Sequence, residues 1–214
     1  MEATIIIPAR KGSKGLPGKN RILLDHTISK IPTNLLKQTI VSTDDEKIVE
    51  MVQNNYPECK IYRRSPESAS DTASTKYCLQ EVVSEHSLQG DIVMLYLTYP
   101  EREWLEVEEA YRWYVKSDAK SLLCKEPINT HPFLCMYELD NGKGKQIVKH
   151  DLYRRQHYPK CFKICHMISI FKTNEIKNLN NNLYNKDTLY YKIPKVIDID
   201  TLSDLEEFKN KHGS

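Results

Sequence analysis

The sequence predicts an α/β protein built on a doubly wound, mostly parallel sheet, and three observations carry that expectation. Short apolar runs alternate with amphipathic segments through the first half of the chain, the order that a parallel sheet with crossover helices requires. The run Asp91–Thr98 is continuously apolar in its middle, the pattern of a strand buried on both faces. The first apolar run, Ile5-Ile6-Ile7, empties into a glycine-rich loop, and open α/β sheets bind their ligands beyond the carboxyl ends of their strands. The chain has 214 residues, enough for a single domain over residues 1–214 with one excursion.

Thr4–Ile7 reads as the first strand. Leu24, Ile28 and Ile31 then recur at helical spacing, predicting a helix over Leu23–Ile31 that Pro32 stops. Thr39–Thr43 is the next strand, and Thr43-Asp44-Asp45-Glu46 has the form of a capping box ahead of Ile48, Met51 and Val52. Lys60–Arg63 is a short third strand, followed by a helix opened by Ser74 or Thr75 with Leu79, Val82 and Val83 on its inner face. After the strand Asp91–Thr98 come a helix over Trp104–Val115 and a strand over Ser121–Lys125. The pattern then loosens: Phe133–Leu139 and Cys161–Phe171 read as extended, Asn141-Gly142 marks a turn, and Asn178–Asn185 is a surface loop by composition. A strand Lys195–Ile199 and a helix from Ser203 or Asp204 to about Lys211 close the chain.

Composition narrows the partners. The 31 Lys and Arg against 29 Asp and Glu leave a net charge of +2 without a long basic stretch, which argues against a nucleic-acid partner. Ile5–Ile7 is too short for a signal peptide, and no segment approaches the roughly 20 apolar residues of a membrane span, so a soluble, cytoplasmic protein without a membrane partner is expected. The six cysteines lie scattered, which suits reduced thiols better than a disulfide framework. Cys161, Cys165 and His166 cluster, but the absence of a Cys-x-x-Cys pair favours structural residues over a zinc site.

Chemistry gathers at the two ends. In the loop from Arg10 to Asn20, glycines 12, 15 and 18 let main-chain N–H groups approach an anion, and Arg10, Lys11, Lys14 and Lys19 supply countercharge. Two familiar phosphate patterns fail on it. Five residues separate Gly12 from Gly18 where a P-loop has four, and the glycines recur every third residue, not as G-x-G-x-x-G. At the other end, Asp198 and Asp200 alternate in a predicted strand, which would set both carboxylates on one face and suit Mg²⁺; an ordinary solvent-facing edge is the alternative.

Taken whole, Ile5-Ile6-Ile7-Pro8-Ala9-Arg10-Lys11-Gly12-Ser13-Lys14-Gly15, with Lys19-Asn20 closing the loop, resembles the opening motif of the acylneuraminate (CMP-sialic acid synthetase-like) cytidylyltransferase family. Val41-Ser42-Thr43-Asp44 and Ile197-Asp198-Ile199-Asp200-Thr201 with Asp204-Leu205 are similar to later family motifs, and Arg64–Thr75 resembles the segment that wraps the cytosine. The resemblance implies a Rossmann-like sheet of the nucleotide-diphospho-sugar transferase type. It implies a homodimer with a small dimerisation arm within residues 127–172. It also implies an enzyme that joins CTP to an acidic 2-keto sugar, giving a CMP-sugar and pyrophosphate.

By the same resemblance Arg10, Lys14, Lys19 and Asp200 are catalytic, and Asp198 and Asp200 hold Mg²⁺. Ala9, Arg10, Gly12, Ser13, Lys19, Asn20, Arg64, Ala73 and Thr75 bind the nucleotide, while Tyr96, Thr98, Arg155 and Gln156 face the sugar. The chain departs from the family where the sugar is expected. Tyr96 replaces a glutamine, Tyr99 a serine, and Cys165, His166 and Ser169 stand near an expected Asn-Gly; the stretch ending in Gly-Lys-Pro after Asn20 is missing. A nucleotidyltransferase for another nucleotide or sugar, and a non-catalytic nucleotide-sugar binding protein, are the alternative readings.

Overall fold

A computed structural model describes residues 1–213. Strand β1 (Ala3–Pro8) pairs in parallel with β2 (Thr39–Thr43) on one side and β4 (Asp91–Met94) on the other, and β2 pairs with β3 (Lys60–Arg63). Beyond β4 lies β8 (Phe162–Lys172), which runs antiparallel to both β4 and β5 (Ser121–Pro127), and β9 (Leu189–Lys192) adds in parallel to β5. The result is a seven-stranded sheet in the order β3-β2-β1-β4-β8-β5-β9. A separate two-stranded hairpin, β6 (Met136–Glu138) and β7 (Gly144–Gln146), turns through Asn141-Gly142 as its sequence predicts.

Alternation along β1 explains the two covered faces. Ile5 and Ile7 enter one core with Leu23, Leu24 and Ile28 of α1 (Lys19–Ile28), Ile48 and Val52 of α2 (Glu46–Asn55), Val107 of α5 (Trp104–Lys116) and Leu205 of α6 (Leu202–His212). Ile6 points the other way, to Leu79 and Val82 of α4 (Thr75–Glu85), Ile92, Phe171 and Ile176. Each of these buried aliphatic side chains contributes about 1.5–3 kcal/mol relative to exposure, so the triad Ile5-Ile6-Ile7 fastens helices to both sides of the sheet.

Several elements differ from the sequence expectation. The first helix begins at Lys19, directly after Gly18 in a left-handed conformation (φ 74°), and ends at Ile28. Thr43 does not cap α2: it is still in β2, and its Oγ1 donates to the Ala9 carbonyl, leaving Asp45 as the cap that accepts from Lys47 N. The strand expected over Asp91–Thr98 ends at Met94, and residues beyond Leu95 turn into the site. The closing strand is Leu189–Lys192, not Lys195–Ile199. Pro194 has no N–H for a ladder, and β5 ends at Pro127, so residues 195–199 have no strand to pair with. Residues 128–161 lie outside the seven-stranded sheet, within the range 127–172 given for the excursion, and Phe162–Lys172 is a strand of the main sheet. A short helix, α3 (Pro66–Ala69), precedes α4.

Candidate active site

The loop after β1 is held at its root. Ala9 is buried, donates through its N–H to the Ser42 carbonyl at 2.8 Å and accepts from Thr43 Oγ1 at 2.6 Å, so it anchors the loop and does not itself line the cleft. Lys19 and Asn20 fall in the first turn of α1 and line the cleft; Lys19 N is bonded to the Leu16 carbonyl at 3.1 Å and Arg21 N to the Gly18 carbonyl at 2.9 Å, so what the helix end offers an anion is the positive end of its dipole. Asn20 Nδ2 donates to the Arg10 carbonyl at 2.8 Å, and Lys11 N donates to Asp44 Oδ1 at 2.8 Å. Gly15 passes so close to the Asp200 carbonyl that an added Cβ would collide with it. Glycine is thus required where the two termini of the sequence meet.

Three of the loop's four cations are matched to carboxylates. Arg10 Nη1 lies 2.6 Å and Lys14 Nζ 3.2 Å from opposite oxygens of Asp71, while Lys19 Nζ pairs with Asp200 and donates to the Ile199 carbonyl at 3.3 Å. Hydrogen bonds from Arg10 and then Lys14 hold the Asp71 carboxyl below the usual carboxylate range. Asp71 thus balances the charge of both Arg10 and Lys14 at the cleft.

These residues line one open cleft of about 640 Å³, together with Gly12, Ser13, Arg64, Ala73, Thr75, Tyr96, Thr98, Tyr99, His166, Asp198 and Asp200. Ser74 caps α4, its Oγ accepting from Tyr77 N at 3.2 Å, which presents Thr75 at the helix start. Thr75 Oγ1 accepts from Tyr96 OH at 2.9 Å, and burial raises the Tyr96 phenol pKa, so the group remains a neutral donor. Arg64 donates from Nε to Ser42 Oγ at 3.2 Å and from Nη2 to Cys78 Sγ at 2.8 Å. Buried Arg102 pins this wall from behind, donating to the carbonyls of Tyr96 (3.0 Å) and Met167 (2.7 Å) and to Thr27 Oγ1 (3.2 Å). Burial lowers its guanidinium pKa to about 10, which still leaves it charged at neutral pH.

Asp198 and Asp200 reach the cleft although they lie on no strand. Asp198 Oδ2 accepts from the buried Tyr99 hydroxyl at 2.8 Å, and Asp200 faces Lys19. Among the described residues no three His, Cys, Asp or Glu side chains gather to hold an ion by themselves. A pair of carboxylates beside a phosphate-type loop does fit a hard cation that takes its remaining ligands from water and substrate oxygens. His166 sits across the cleft in edge contact with Tyr96 (centroids 5.7 Å apart); its Nδ1 is buried without a hydrogen-bond partner, and burial lowers its pKa.

Two sugar-side candidates are not brought in. Arg155 and Gln156 lie on an exposed 3₁₀ turn of the excursion, outside the cleft lining, because that segment leaves the sheet edge before β8 returns. Asp71 and Thr201, which caps α6, line the cleft without having been singled out. The signal for Asp71 was its place inside the Arg64–Thr75 segment, three residues before the Ser74 cap of α4.

A family model described as "Cytidylyltransferase" matches residues 4–210. This chain belongs to that family. It is 30% identical over 222 residues to the N-acylneuraminate cytidylyltransferase of Streptococcus agalactiae, with 95% of this chain covered but only 52% of that protein. The chain therefore spans about half the length of that relative. It is 24% identical over 220 residues to the pseudaminic acid cytidylyltransferase of Campylobacter jejuni, covering 96% of this chain and 94% of the relative. Among solved structures, a CMP:2-keto-3-deoxy-manno-octonic acid synthetase complexed with CTP superposes with a TM-score of 0.71 at 16% identity, over 100% of this chain and 99% of the other. That likeness supports the nucleotidyltransferase fold, mostly parallel with a single antiparallel insertion at β8.

Proposed function

We propose that this cytidylyltransferase-family chain joins CTP to an acidic 2-keto sugar, releasing a CMP-sugar and pyrophosphate. The observation that carries the reading is the convergence of the Arg10–Asn20 loop, Arg64, Thr75, Asp198 and Asp200 on one cleft. Relatives named for N-acylneuraminate, pseudaminic acid and diacetyllegionaminic acid support the class of sugar.

In this reading the anomeric hydroxyl of the sugar attacks the α-phosphorus of CTP, and pyrophosphate leaves in line. Arg10, Lys14 and Lys19 exchange their carboxylate partners for phosphate oxygens and stabilise charge on the transferring and departing groups. The positive end of the α1 dipole favours the same oxygens. Arg64 and Thr75, with the Ala73 backbone beside them, read the base edge, and Tyr96 and Thr98 border the sugar. Asp198 and Asp200 would hold Mg²⁺, which supplies neutralisation of phosphate charge and lowers the pKa of a bound hydroxyl. The excursion exposes Leu134, Met136, Tyr137, Ile147 and Tyr153, an apolar surface suited to a second copy of the chain. A homodimer would also give Arg155 and Gln156 a cleft to enter, that of the partner.

No helix among the described residues is long and apolar enough to cross a membrane, and a cytoplasmic location fits a reaction that consumes CTP. Thermal unfolding tests the nucleotide assignment directly. CTP at about 100 times its dissociation constant stabilises the fold by about 2.7 kcal/mol, whereas UTP, ATP and GTP at the same concentration leave the midpoint nearly unchanged. Equal stabilisation by all four nucleotides would exclude a cytosine-reading pocket.

A further inference from the structure

Residues 193–200 lie outside every strand, yet they carry Asp198 and Asp200 into the cleft. The turn that follows β4 holds three consecutive residues of that segment. Glu101 Oε2 accepts from Ile197 N at 2.9 Å, the Tyr99 hydroxyl donates to Asp198 Oδ2 at 2.8 Å, and the Thr98 carbonyl accepts from Ile199 N at 2.9 Å. Two of these contacts fix main chain; only the Tyr99 contact fixes a functional carboxylate. Tyr99 is itself 6% exposed, packed in the core with Cys165, and cannot swing away. Asp200 has a different restraint, the Lys19 ammonium, which also donates to the Ile199 carbonyl at 3.3 Å.

We propose that Tyr99 is the positioning residue for the Asp198 carboxylate: its hydroxyl takes Oδ2 and sets the carboxylate's rotation before any cation arrives. The inference rests on the reading of Asp198 as a cation ligand. A carboxylate on a segment without a ladder otherwise rotates freely, and the hydrogen bond removes that freedom at a cost met by folding. A ligand carboxylate that loses such a partner typically weakens cation binding by about 10–100-fold.

The test is direct Mn²⁺ binding, read as loss of the free-ion electron paramagnetic resonance signal, in the presence of CTP and the absence of sugar. Tyr99→Phe keeps the ring and removes only the hydroxyl; it is expected to weaken Mn²⁺ binding roughly tenfold with an unchanged circular dichroism spectrum. In an Asp198→Asn background the same substitution is expected to have no further effect on Mn²⁺ affinity. Glu101→Ala removes the acceptor for Ile197 N and loosens the segment without touching the Asp198 carboxylate; it is expected to bind Mn²⁺ within about twofold of wild type, well inside the loss expected for a missing carboxylate partner. Wild-type affinity in Tyr99→Phe, with Asp198→Asn weakened, overturns the role of Tyr99 alone. An equal loss in Glu101→Ala and Tyr99→Phe also overturns it, because general loosening of the segment then explains both. Wild-type affinity in Asp198→Asn overturns the cation reading on which the inference rests.

Discussion

The cleft around Arg10–Asn20 and the excursion over residues 128–161 are made of similar residue types but are finished to different degrees. In the cleft each loop cation that faces inward has a carboxylate partner, Ala9 is tied to β2, and Gly15 touches the backbone of Asp200. In the excursion the hairpin strands span three residues each and are wholly exposed, and Tyr153 is 84% exposed. A small aromatic cluster does organise its base, where His131 Nδ1 accepts from Phe133 N at 3.2 Å and Phe133 stacks on His150 at 4.1 Å. The difference teaches that the cleft is held by ion pairs and main-chain contacts within one chain, whereas the excursion leaves its apolar side chains exposed.

The sharpest way to probe that contrast is to damage the finished half. Asp200→Asn is expected to lower turnover by about 10²–10³-fold while circular dichroism and the unfolding midpoint stay near wild type, because Asp200 is exposed and outside the core. Near-normal pyrophosphate release from this variant would contradict its role.

A smaller effect is expected from the excursion. Arg155→Ala should raise the KM for the acidic sugar by roughly tenfold, about 1.4 kcal/mol, with the KM for CTP nearly unchanged. A change confined to CTP would erase the division between the two regions. Separate measurements of KM for each substrate decide it.

The smallest effect concerns pH. Burial lowers the His166 pKa below its ordinary value near 6.5, so the folded protein holds this ring neutral while the unfolded chain protonates it. The contribution is fully present above the unfolded value and is lost as pH falls from there through the lower folded value. His166→Gln should therefore show a shallower loss of unfolding free energy on acidification, by at most about 1.4 kcal/mol per pH unit for one proton, in urea titrations on either side of that value. Parallel acid profiles would show that His166 is not the group responsible.

Strands β1 to β5 and the amphipathic helices were legible because apolar periodicity reports burial directly, and the phosphate-type loop was legible from its glycines and cations. The start of α1 was not: Lys19, Asn20 and Arg21 offer no apolar residue to mark the first turn, and only the left-handed Gly18 sets it. The closing strand was misplaced because Lys195–Ile199 alternates like a strand but has no neighbouring strand to form a ladder with, a fact of topology and not of local sequence. Asp198 and Asp200 reach the cleft all the same, through Tyr99, Glu101 and Lys19, long-range partners that no spacing rule reveals. Arg155 and Gln156 were placed by resemblance, and the chain's own topology keeps them away from its own cleft.

The central claim is the joining of CTP to an acidic 2-keto sugar, and a coupled pyrophosphate-release assay tests it most directly. Purified protein is mixed with Mg²⁺, each nucleoside triphosphate in turn, and a panel of sialic, pseudaminic, legionaminic and eight-carbon ulosonic acids. Release that requires both CTP and at least one of these acids is the predicted result. Release with no member of the panel, or equal release with another nucleotide, would contradict it.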